Sequence, residues 1–298
     1  MGSQLIMGLM RLDDVSVGEL EDTLEYCLEN GIDHLDIANI YGNGESESKL
    51  GQVFLKNPSL RNRFHLQTKC GIVTSSEHPT YYDSSYEHIV EAVSDSLKRM
   101  HIGRIDSLLI HRPDIFMDVN EIAHAFDLLE SSGLVTSFGV SNMDVSEIEY
   151  IKSGIRQDIK VCQLQLGVGQ AALLSSALNA NNPSQKNLNT DGLYFYLKRN
   201  GIQLQCWSPY QVGYFEGSIF THPGAADLRD ALDVLAKKYG CSPCGIATSF
   251  LTSLSEDVRV VIGSLEKKHI GESIAGSKIK LSRQDWYWLY KKTGNILP

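Results

Sequence analysis

The stretch VGELEDTLEYCLENGIDHLDI, residues 17–37, contains the unit from which the fold can be predicted. Its first part, 17–30, spaces apolar residues as on one face of an amphipathic helix, and Gly31 follows where helices commonly end. The short apolar run His34–Ile37 then has the length of a buried strand. One predicted helix therefore leads directly into one predicted strand.

Runs and helical stretches of this kind alternate along the whole chain. The runs that predict strands are Leu5–Leu9, His34–Ile37, Phe64–Thr68, Ser107–Ile110, Thr136–Val140, Val161–Gln165, Gln203–Trp207 and Arg259–Ile262. The helix-like stretches include Val17–Asn30, Ser85–Met100, Val119–Ser131, Asp191–Asn200, Ala226–Tyr239 and a last, extra helix, Ser282–Lys292, whose aromatic residues we expect against the outside of the barrel. Eight such repeats without a dividing linker predict an α/β fold, a single (β/α)8 TIM barrel domain over residues 1–298.

Composition excludes several classes of partner. The chain has 298 residues, of which 27 are Lys or Arg and 36 are Asp or Glu, giving a net charge of −9. This balance argues against binding to nucleic acid or to an acidic membrane surface. The apolar stretch Leu5–Met10 is too short for a membrane span and runs into Arg11, unlike a secretory signal. We therefore expect a cytoplasmic protein.

The six cysteines do not indicate a disulfide scaffold. Cys241 and Cys244 form a C-x-x-C pair, but the residues between them, Ser242 and Pro243, are typical of the N-cap and first position of a helix. A second pair of ligands, which a zinc site would need, is not apparent. The sequence favours a structural role for these cysteines and predicts no metal.

Polar side chains follow three neighbouring predicted strands. Asp36 lies at the end of the second run and Tyr41 follows it, Lys69 comes after the third run and His111 after the fourth. Because the carboxyl ends of barrel strands open on one face, we expect these side chains to meet. Lys69 would lower the pKa of the Tyr41 phenol, and Asp36 would hold Lys69 charged and oriented. Such a set can protonate an oxygen that becomes an alkoxide, while His111 orients that oxygen.

These motifs resemble the aldo-keto reductase family, and more narrowly its bacterial YdhF-like oxidoreductase branch. The resemblance covers nearly the whole chain and rests on 35–42 with Glu47, Leu50 and Gly51, on 68–72, on 108–114, and on Gly133 with 138–142. It implies reduction of a small aldehyde or ketone with a nicotinamide cofactor. Tyr41 would be the general acid, Lys69 and Asp36 would tune it, and His111 would orient the carbonyl.

The resemblance also assigns cofactor residues one by one. Ser141, Asn142 and Gln163 would hold the nicotinamide carboxamide, and Trp207 would stack on its ring, with Ser208 and Pro209 near the phosphates. Further candidates are Met10 and Arg11 at the mouth of the first strand and, after the eighth strand, Gly263, Ser264, Lys268, His269 and Glu272.

The region after the eighth strand departs from the family pattern. Gly263 stands where a Lys is common and His269 where an Arg is common, while Glu266 adds a negative charge. Ser264, Lys267, Lys268 and His269 would still hold a phosphate at a helix N-terminus, so NADP (NADPH) remains the expected cofactor, with NAD as the alternative. The family's N-terminal hairpin is also expected to be absent.

We expect a small carbonyl substrate, bound by loops 72–82 and 211–220 and by Phe116. We also expect a monomer or weak homo-oligomer.

Two alternatives remain open from the sequence. The segment Gly167–Ala172 matches G-x-G-x-x-A, with Asp191 further on, which is typical of a Rossmann enzyme. Tyr-x-x-x-Lys spacings, as in short-chain dehydrogenases, occur at Tyr194 with Lys198 and at Tyr287 with Lys291. The other alternative is a cofactor-binding sensor or regulatory subunit with little turnover, although the presence of all four chemical residues favours catalysis.

Overall fold

The computed structural model describes residues 3–179 and 192–297. The strands are β1 Leu5–Gly8, β2 His34–Asp36, β3 His65–Cys70, β4 Ile72–Val73, β5 Tyr81–Tyr82, β6 Ser107–Ile110, β7 Phe138–Ser141, β8 Ile159–Gln165, β9 Gln203–Trp207 and β10 Arg259–Ile262. The helices are α1 Val17–Glu29, α2 Glu45–Lys56, α3 Pro58–Arg61, α4 Tyr86–Met100, α5 Val119–Ser131, α6 Val145–Lys152, α7 Ala172–Leu178, α8 Leu193–Asn200, α9 Ala226–Tyr239, α10 Pro243–Thr252, α11 Lys267–Ser277 and α12 Arg283–Lys292.

Eight strands form a closed barrel in the order β1-β10-β9-β8-β7-β6-β3-β2. The predicted α/β barrel is therefore confirmed, and each of the eight apolar runs corresponds to one barrel strand. The remaining strands, β4 and β5, form a separate antiparallel hairpin, with Ile72 opposite Tyr82 and Val73 opposite Tyr81. This hairpin lies in the stretch 72–82 that the sequence predicts as a loop.

The first helix shows how the local sequence sets an element. Ser16 caps α1 by accepting a hydrogen bond from the Glu19 N–H, and the Glu19 carboxylate in turn accepts from the Ser16 N–H. This capping box satisfies two N–H groups that would otherwise lack helical partners. The helix buries Leu20, Thr23, Leu24 and Cys27, the spacing of a single helical face. Gly31 follows at φ +80°, a conformation that glycine adopts without strain.

Contacts within the chain cluster into two compact units, 1–163 and 164–298. In the first unit the neighbouring strands β1, β2, β3, β6, β7 and β8 pair in parallel. Parallel pairing brings the carboxyl ends of these strands to one face, where Asp36 and Lys69 lie. A single domain over residues 1–298 stays a prediction.

In the second unit, β9 and β10 pair in parallel, with Cys206 opposite Val260. The indole of Trp286 on α12 stacks on Phe250 of α10, with ring centroids 4.6 Å apart, and its Nε1 donates to the Phe250 carbonyl. Trp286 and Tyr290 are buried, whereas Tyr287 and Trp288 are exposed. Two of the four C-terminal aromatics are therefore buried, and Trp286 packs on the helix α10.

The G-x-G-x-x-A segment is a tight turn between β8 and α7. Gly167 and Gln170 exchange two backbone hydrogen bonds. A Cβ at Gly167 would lie 2.2 Å from the carbonyl oxygen of Pro209, so glycine is needed for close approach of the chain. The closed barrel excludes the Rossmann alternative, whose sheet is open. Asp191 lies outside the described residues.

The C-x-x-C pair lies at the start of α10. Ser242 is the N-cap and accepts from the Gly245 N–H, and Pro243 is at the first helical position, as the sequence predicts. Burial raises the pKa of both thiols, Cys241 and Cys244. Within 3–179 and 192–297, no three His, Cys, Asp or Glu side chains are grouped to hold a metal ion. No helix in these ranges has the length and apolar character needed to cross a membrane.

Candidate active site

A buried ion pair lies at the carboxyl ends of β2 and β3. The Nζ of Lys69 donates to Asp36 Oδ2 at 2.8 Å and to the Ile37 carbonyl at 2.9 Å. Lys69 is completely buried and Asp36 is 3% exposed. Burial alone would lower the pKa of Lys69, but the charge of Asp36 and the hydrogen bonds of Asp36 and Tyr41 outweigh it, so the pKa is raised. Asp36 thus holds Lys69 charged, as expected from the sequence.

Tyr41 completes this group from a sharp turn after β2. Its hydroxyl lies 3.2 Å from Lys69 Nζ, within hydrogen-bond distance. The turn Tyr41–Gly44 has left-handed backbone conformations at Gly42, Asn43 and Gly44 before α2 begins. Glycine and asparagine tolerate these conformations, so the local sequence permits the reversal that directs Tyr41 to Lys69.

Lys69 lowers the pKa of Tyr41, as expected, but the pKa is nevertheless raised overall, and the expected acidic phenol is wrong. Burial raises the pKa of the phenol, because a buried phenolate loses its hydration, and this outweighs the opposing charge and hydrogen bond of Lys69. The Asp36 carboxylate also raises it. The phenol is therefore protonated at neutral pH, with a cation already placed beside its oxygen.

His111 follows β6 directly and faces Tyr41. The two rings meet edge to face, with centroids 6.1 Å apart. Burial, with the positive charges of Lys69 and Arg112, holds the pKa of His111 well below its ordinary value, so the imidazole is neutral. Its Nδ1 is buried without a hydrogen-bond partner among the described residues. The structure thus brings together all four predicted catalytic residues.

The three residues predicted for the carboxamide also meet in the first unit. Asn142 Nδ2 donates to Ser141 Oγ at 2.7 Å and to the His111 carbonyl at 3.1 Å. Ser141 Oγ donates to the Gln163 carbonyl at 3.1 Å. Gln163 Nε2 donates to Asp36 Oδ1 at 2.9 Å, so its amide contacts the ion pair itself.

Gln67 is a site residue that the sequence reasoning missed. Its Nε2 donates to Asp36 Oδ1 at 2.7 Å, and the residue is fully buried. Asp36 therefore uses one oxygen for the amides of Gln67 and Gln163 and the other for Lys69. The available signal was strand alternation, because residues 67 and 69 lie on the same face of β3.

The remaining candidates of the first unit, Met10 and Arg11, are exposed after β1. A cavity of about 600 Å³ lies beside the turn that carries Tyr41. It is lined by Asn39, Ile40 and Asn43, by residues 72–76 and by part of α4. Of the loops predicted for substrate, 72–82 thus contributes to this cavity, while Phe116 is 89% exposed.

In the second unit, Trp207 ends β9 and is followed by Ser208 and Pro209. Its indole stacks on the ring of Phe215 with centroids 5.6 Å apart, and Tyr214 meets it edge-on at 6.2 Å. The loop predicted for substrate, 211–220, therefore packs on the residue predicted for the nicotinamide ring.

The candidates after β10 surround the start of α11. Ser264 Oγ lies 3.1 Å from His269 Nδ1, and Glu266 Oε2 lies 3.6 Å from the same nitrogen. Gly263 and Lys268 are exposed, and Glu272 is half-buried further along the helix. Glu266 is the N-cap of α11, and its own side chain makes no capping bond. Such a helix start suits an anion such as a phosphate.

Residues 4–292 match the model of the aldo/keto reductase family. The chain belongs to this family. It is 28% identical to the oxidoreductase YdhF of Escherichia coli (strain K12), a match that spans 97% of this chain and 93% of that protein, which confirms the predicted branch. It is 29% identical to a 6-dehydroglucose reductase of Agrobacterium fabrum (strain C58 / ATCC 33970), again over 97% and 93% of the two chains.

Solved structures of other proteins have the same fold as this chain. An aldo/keto reductase from Klebsiella pneumoniae, in complex with NADP and acetate, superposes with a TM-score of 0.74 at 17% identity. The match covers 98% of this chain and 92% of that one. At this identity the likeness shows the barrel fold.

Proposed function

We propose that this aldo-keto reductase uses NADPH to reduce a small aldehyde or ketone, with Tyr41 as the proton donor. The observation that supports it best is the position of Lys69 Nζ, which bonds Asp36 Oδ2 at 2.8 Å and the Tyr41 hydroxyl at 3.2 Å. A buried cation beside a phenol is suited to stabilise a phenolate that forms during reaction.

The roles of the side chains follow from their charges. The cofactor, when bound, supplies the hydride that forms the new C–H bond at the carbonyl carbon. The Tyr41 hydroxyl gives its proton to the carbonyl oxygen, and Lys69 stabilises the phenolate that remains. Because burial raises the pKa of Tyr41, the phenol keeps its proton until the carbonyl oxygen gains charge. Neutral His111 orients this oxygen through a hydrogen bond.

The donor set of each unit fits a nicotinamide dinucleotide. In the first unit, the hydroxyl of Ser141 and the amides of Asn142 and Gln163 form the kind of polar cluster that holds a carboxamide. In the second unit, Trp207 offers a ring for stacking, with Ser208 and Pro209 next to it, and Ser264, Lys268 and His269 offer donors at the start of α11.

Names of relatives support a carbonyl substrate and NADP. The Agrobacterium relative is a 6-dehydroglucose reductase, and the Klebsiella structure holds NADP. The single barrel domain over residues 1–298 and these substrate and cofactor classes are parts of the same proposal.

The experiment measures consumption of NADPH by the purified protein with a panel of aldehydes and ketones that includes 6-dehydroglucose. We expect turnover by the wild type and a loss of about 100-fold or more in Tyr41→Phe, with cofactor affinity nearly intact. Tyr150→Phe is the matched control, because Tyr150 is an exposed tyrosine on α6. An unchanged turnover rate in Tyr41→Phe refutes the role of Tyr41 as the proton donor. Tight cofactor binding without turnover of any carbonyl supports the sensor or regulatory alternative instead.

A further inference from the structure

The pairing of β2 with β3 ends before Tyr41. The register has Asp36 opposite Gln67, and the Asn39 N–H then bonds the Lys69 carbonyl at 3.2 Å. Tyr41 lies two residues further, in a turn where its own N–H bonds locally to the Ala38 carbonyl. The distance between the phenol and the ammonium therefore depends on contacts beyond the strand ladder.

Glu47 makes such a contact from the first turn of α2. Thr68 Oγ1 donates to Glu47 Oε1 at 2.7 Å, and Arg99 Nε donates to Glu47 Oε2 at 2.8 Å. Glu47 is completely buried, and Arg99 extends to it from the end of α4. A buried carboxylate with both oxygens bonded is held in a defined place, because leaving either oxygen without a partner is costly.

The chain and two hydrogen bonds connect these residues in a closed path, which we call the ring. Glu47 begins the helix that follows the turn of Tyr41, and Thr68 directly precedes Lys69. Since neighbouring strand residues point to opposite faces, Lys69 contacts Tyr41 while Thr68 contacts α2. The ring runs from Tyr41 along the chain to Glu47, across to Thr68, and through Lys69 back to the phenol.

A close approach of two helices supports the same ring from outside. Gly51 lies one turn after Glu47 on the same face of α2, and a Cβ there would lie 2.2 Å from the Arg99 carbonyl oxygen. The backbone of Arg99 is therefore held directly against α2. Its guanidinium then reaches Glu47 along that face.

We infer that Glu47 is a positioning residue that fixes the Tyr41 hydroxyl against the Lys69 ammonium through Thr68 and Arg99. This inference rests on the proposed function for its effect on turnover. Displacement of a proton donor by about 1 Å can cost on the order of 100-fold in rate. Loss of the contact between Glu47 and Thr68 is expected to act on the chemical step, with binding of the cofactor unaffected.

The test compares Thr68→Val with Thr68→Ser. Valine keeps the shape of threonine but removes the donor to Glu47, whereas serine keeps the hydroxyl. We expect kcat to fall about 10- to 100-fold in Thr68→Val, with KM for NADPH unchanged, and to stay near the wild-type value in Thr68→Ser. Thr23→Val is the control, because Thr23 is a buried threonine whose hydroxyl bonds a carbonyl within α1.

A second pair of variants keeps the test decisive if Thr68→Val does not fold. Glu47→Gln removes the charge that binds Arg99 and is expected to lower kcat in the same way. Asp106→Asn is its control, because Asp106 is a buried carboxylate paired with Arg61 at 2.9 Å before β6, away from the strand ends that carry the site. Equal loss of kcat in Asp106→Asn and Glu47→Gln overturns the inference.

Crystal structures separate this inference from the proposed function. In Thr68→Val or Glu47→Gln, we expect the distance from the Tyr41 hydroxyl to Lys69 Nζ to exceed hydrogen-bond length. If the wild type shows no turnover, the proposed function fails and this distance still tests the positioning role. If the wild type is active and both the distance and kcat are unchanged in the variants, the positioning role is refuted while the proposed function stands.

Discussion

The Nζ of Lys69 lies 3.2 Å from the hydroxyl oxygen of Tyr41, and burial acts on the two groups in opposite senses. It raises the pKa of the phenol, and it would lower that of the ammonium if Asp36 were absent. Asp36 therefore keeps Lys69 protonated. The charge of Lys69 in turn offsets part of the free energy that burial of a Tyr41 phenolate costs. Tyr41 thus depends on Lys69, and Lys69 depends on Asp36.

Replacement of Lys69 by Met is expected to abolish reduction at neutral pH, because the phenolate of Tyr41 loses its cation. The variant should also lose on the order of 3–5 kcal/mol of unfolding free energy, since Asp36 stays buried without its ion partner. Assays of NADPH consumption and urea unfolding measure the two effects.

The double variant Asp36→Asn with Lys69→Met separates these effects. Removal of the unpaired carboxylate should recover part of the stability, while the activity stays lost. Activity in the double variant would contradict the role of the cation.

His111 predicts a dependence of stability on acid pH. Its pKa in the folded protein is well below the ordinary 6.5. As the pH falls below 6.5, histidine in the unfolded chain binds a proton while folded His111 does not, so stability falls with pH. We expect wild type to lose up to about 1.4 kcal/mol per pH unit more than His111→Gln.

Urea unfolding from pH 7 to pH 5 measures this difference. Burial also lowers the pKa of His65, but that residue is present in both proteins, so the comparison isolates His111. Parallel pH profiles of the two proteins would show that His111 does not remain neutral.

The close approach of α2 and α4 at Gly51 predicts that a larger side chain there lowers the stability of the protein. Gly51→Ala places a Cβ 2.2 Å from the backbone oxygen of Arg99, and we expect a loss of about 1–3 kcal/mol in unfolding free energy. Gly18→Ala on α1 is the control, because no atom lies within 4 Å of the added Cβ. It should be neutral or stabilise by up to about 1 kcal/mol. Equal effects of the two substitutions in thermal unfolding would refute the close approach.

Removal of the negative charge of Glu266 is expected to change the preference between NADPH and NADH. Its side chain is 72% exposed and lies 3.6 Å from His269 Nδ1. If the 2′-phosphate of NADPH binds beside Lys268 and His269, Glu266→Gln should improve NADPH affinity a few-fold and leave NADH affinity unchanged, with the gain reduced at high salt. Titrations with both cofactors measure it, and Glu256→Gln is a control at another exposed carboxylate. Equal changes for NADPH and NADH would place the phosphate elsewhere.

Local patterns predicted most of the elements. The strands β6, β9 and β10 have the predicted bounds, because polar residues on both sides of a short apolar run mark where the strand begins and ends. Helices α2, α3 and α6 and the hairpin of β4 with β5 were not among the predicted elements. Two of these elements, the two-residue strands β4 and β5, are too short for any periodic signal.

The sequence by itself determined the alternation of strands and helices and the identity of four polar residues at strand ends, since both are carried by neighbouring positions. Only the tertiary structure decided which side chains share a hydrogen bond, because Asp36 meets Gln163 across 127 positions and Thr68 meets Glu47 across 21. It also decided the direction of the Tyr41 pKa. A neighbouring cation can be read from a motif, but the burial that outweighs it depends on residues distant in the chain that pack around the phenol.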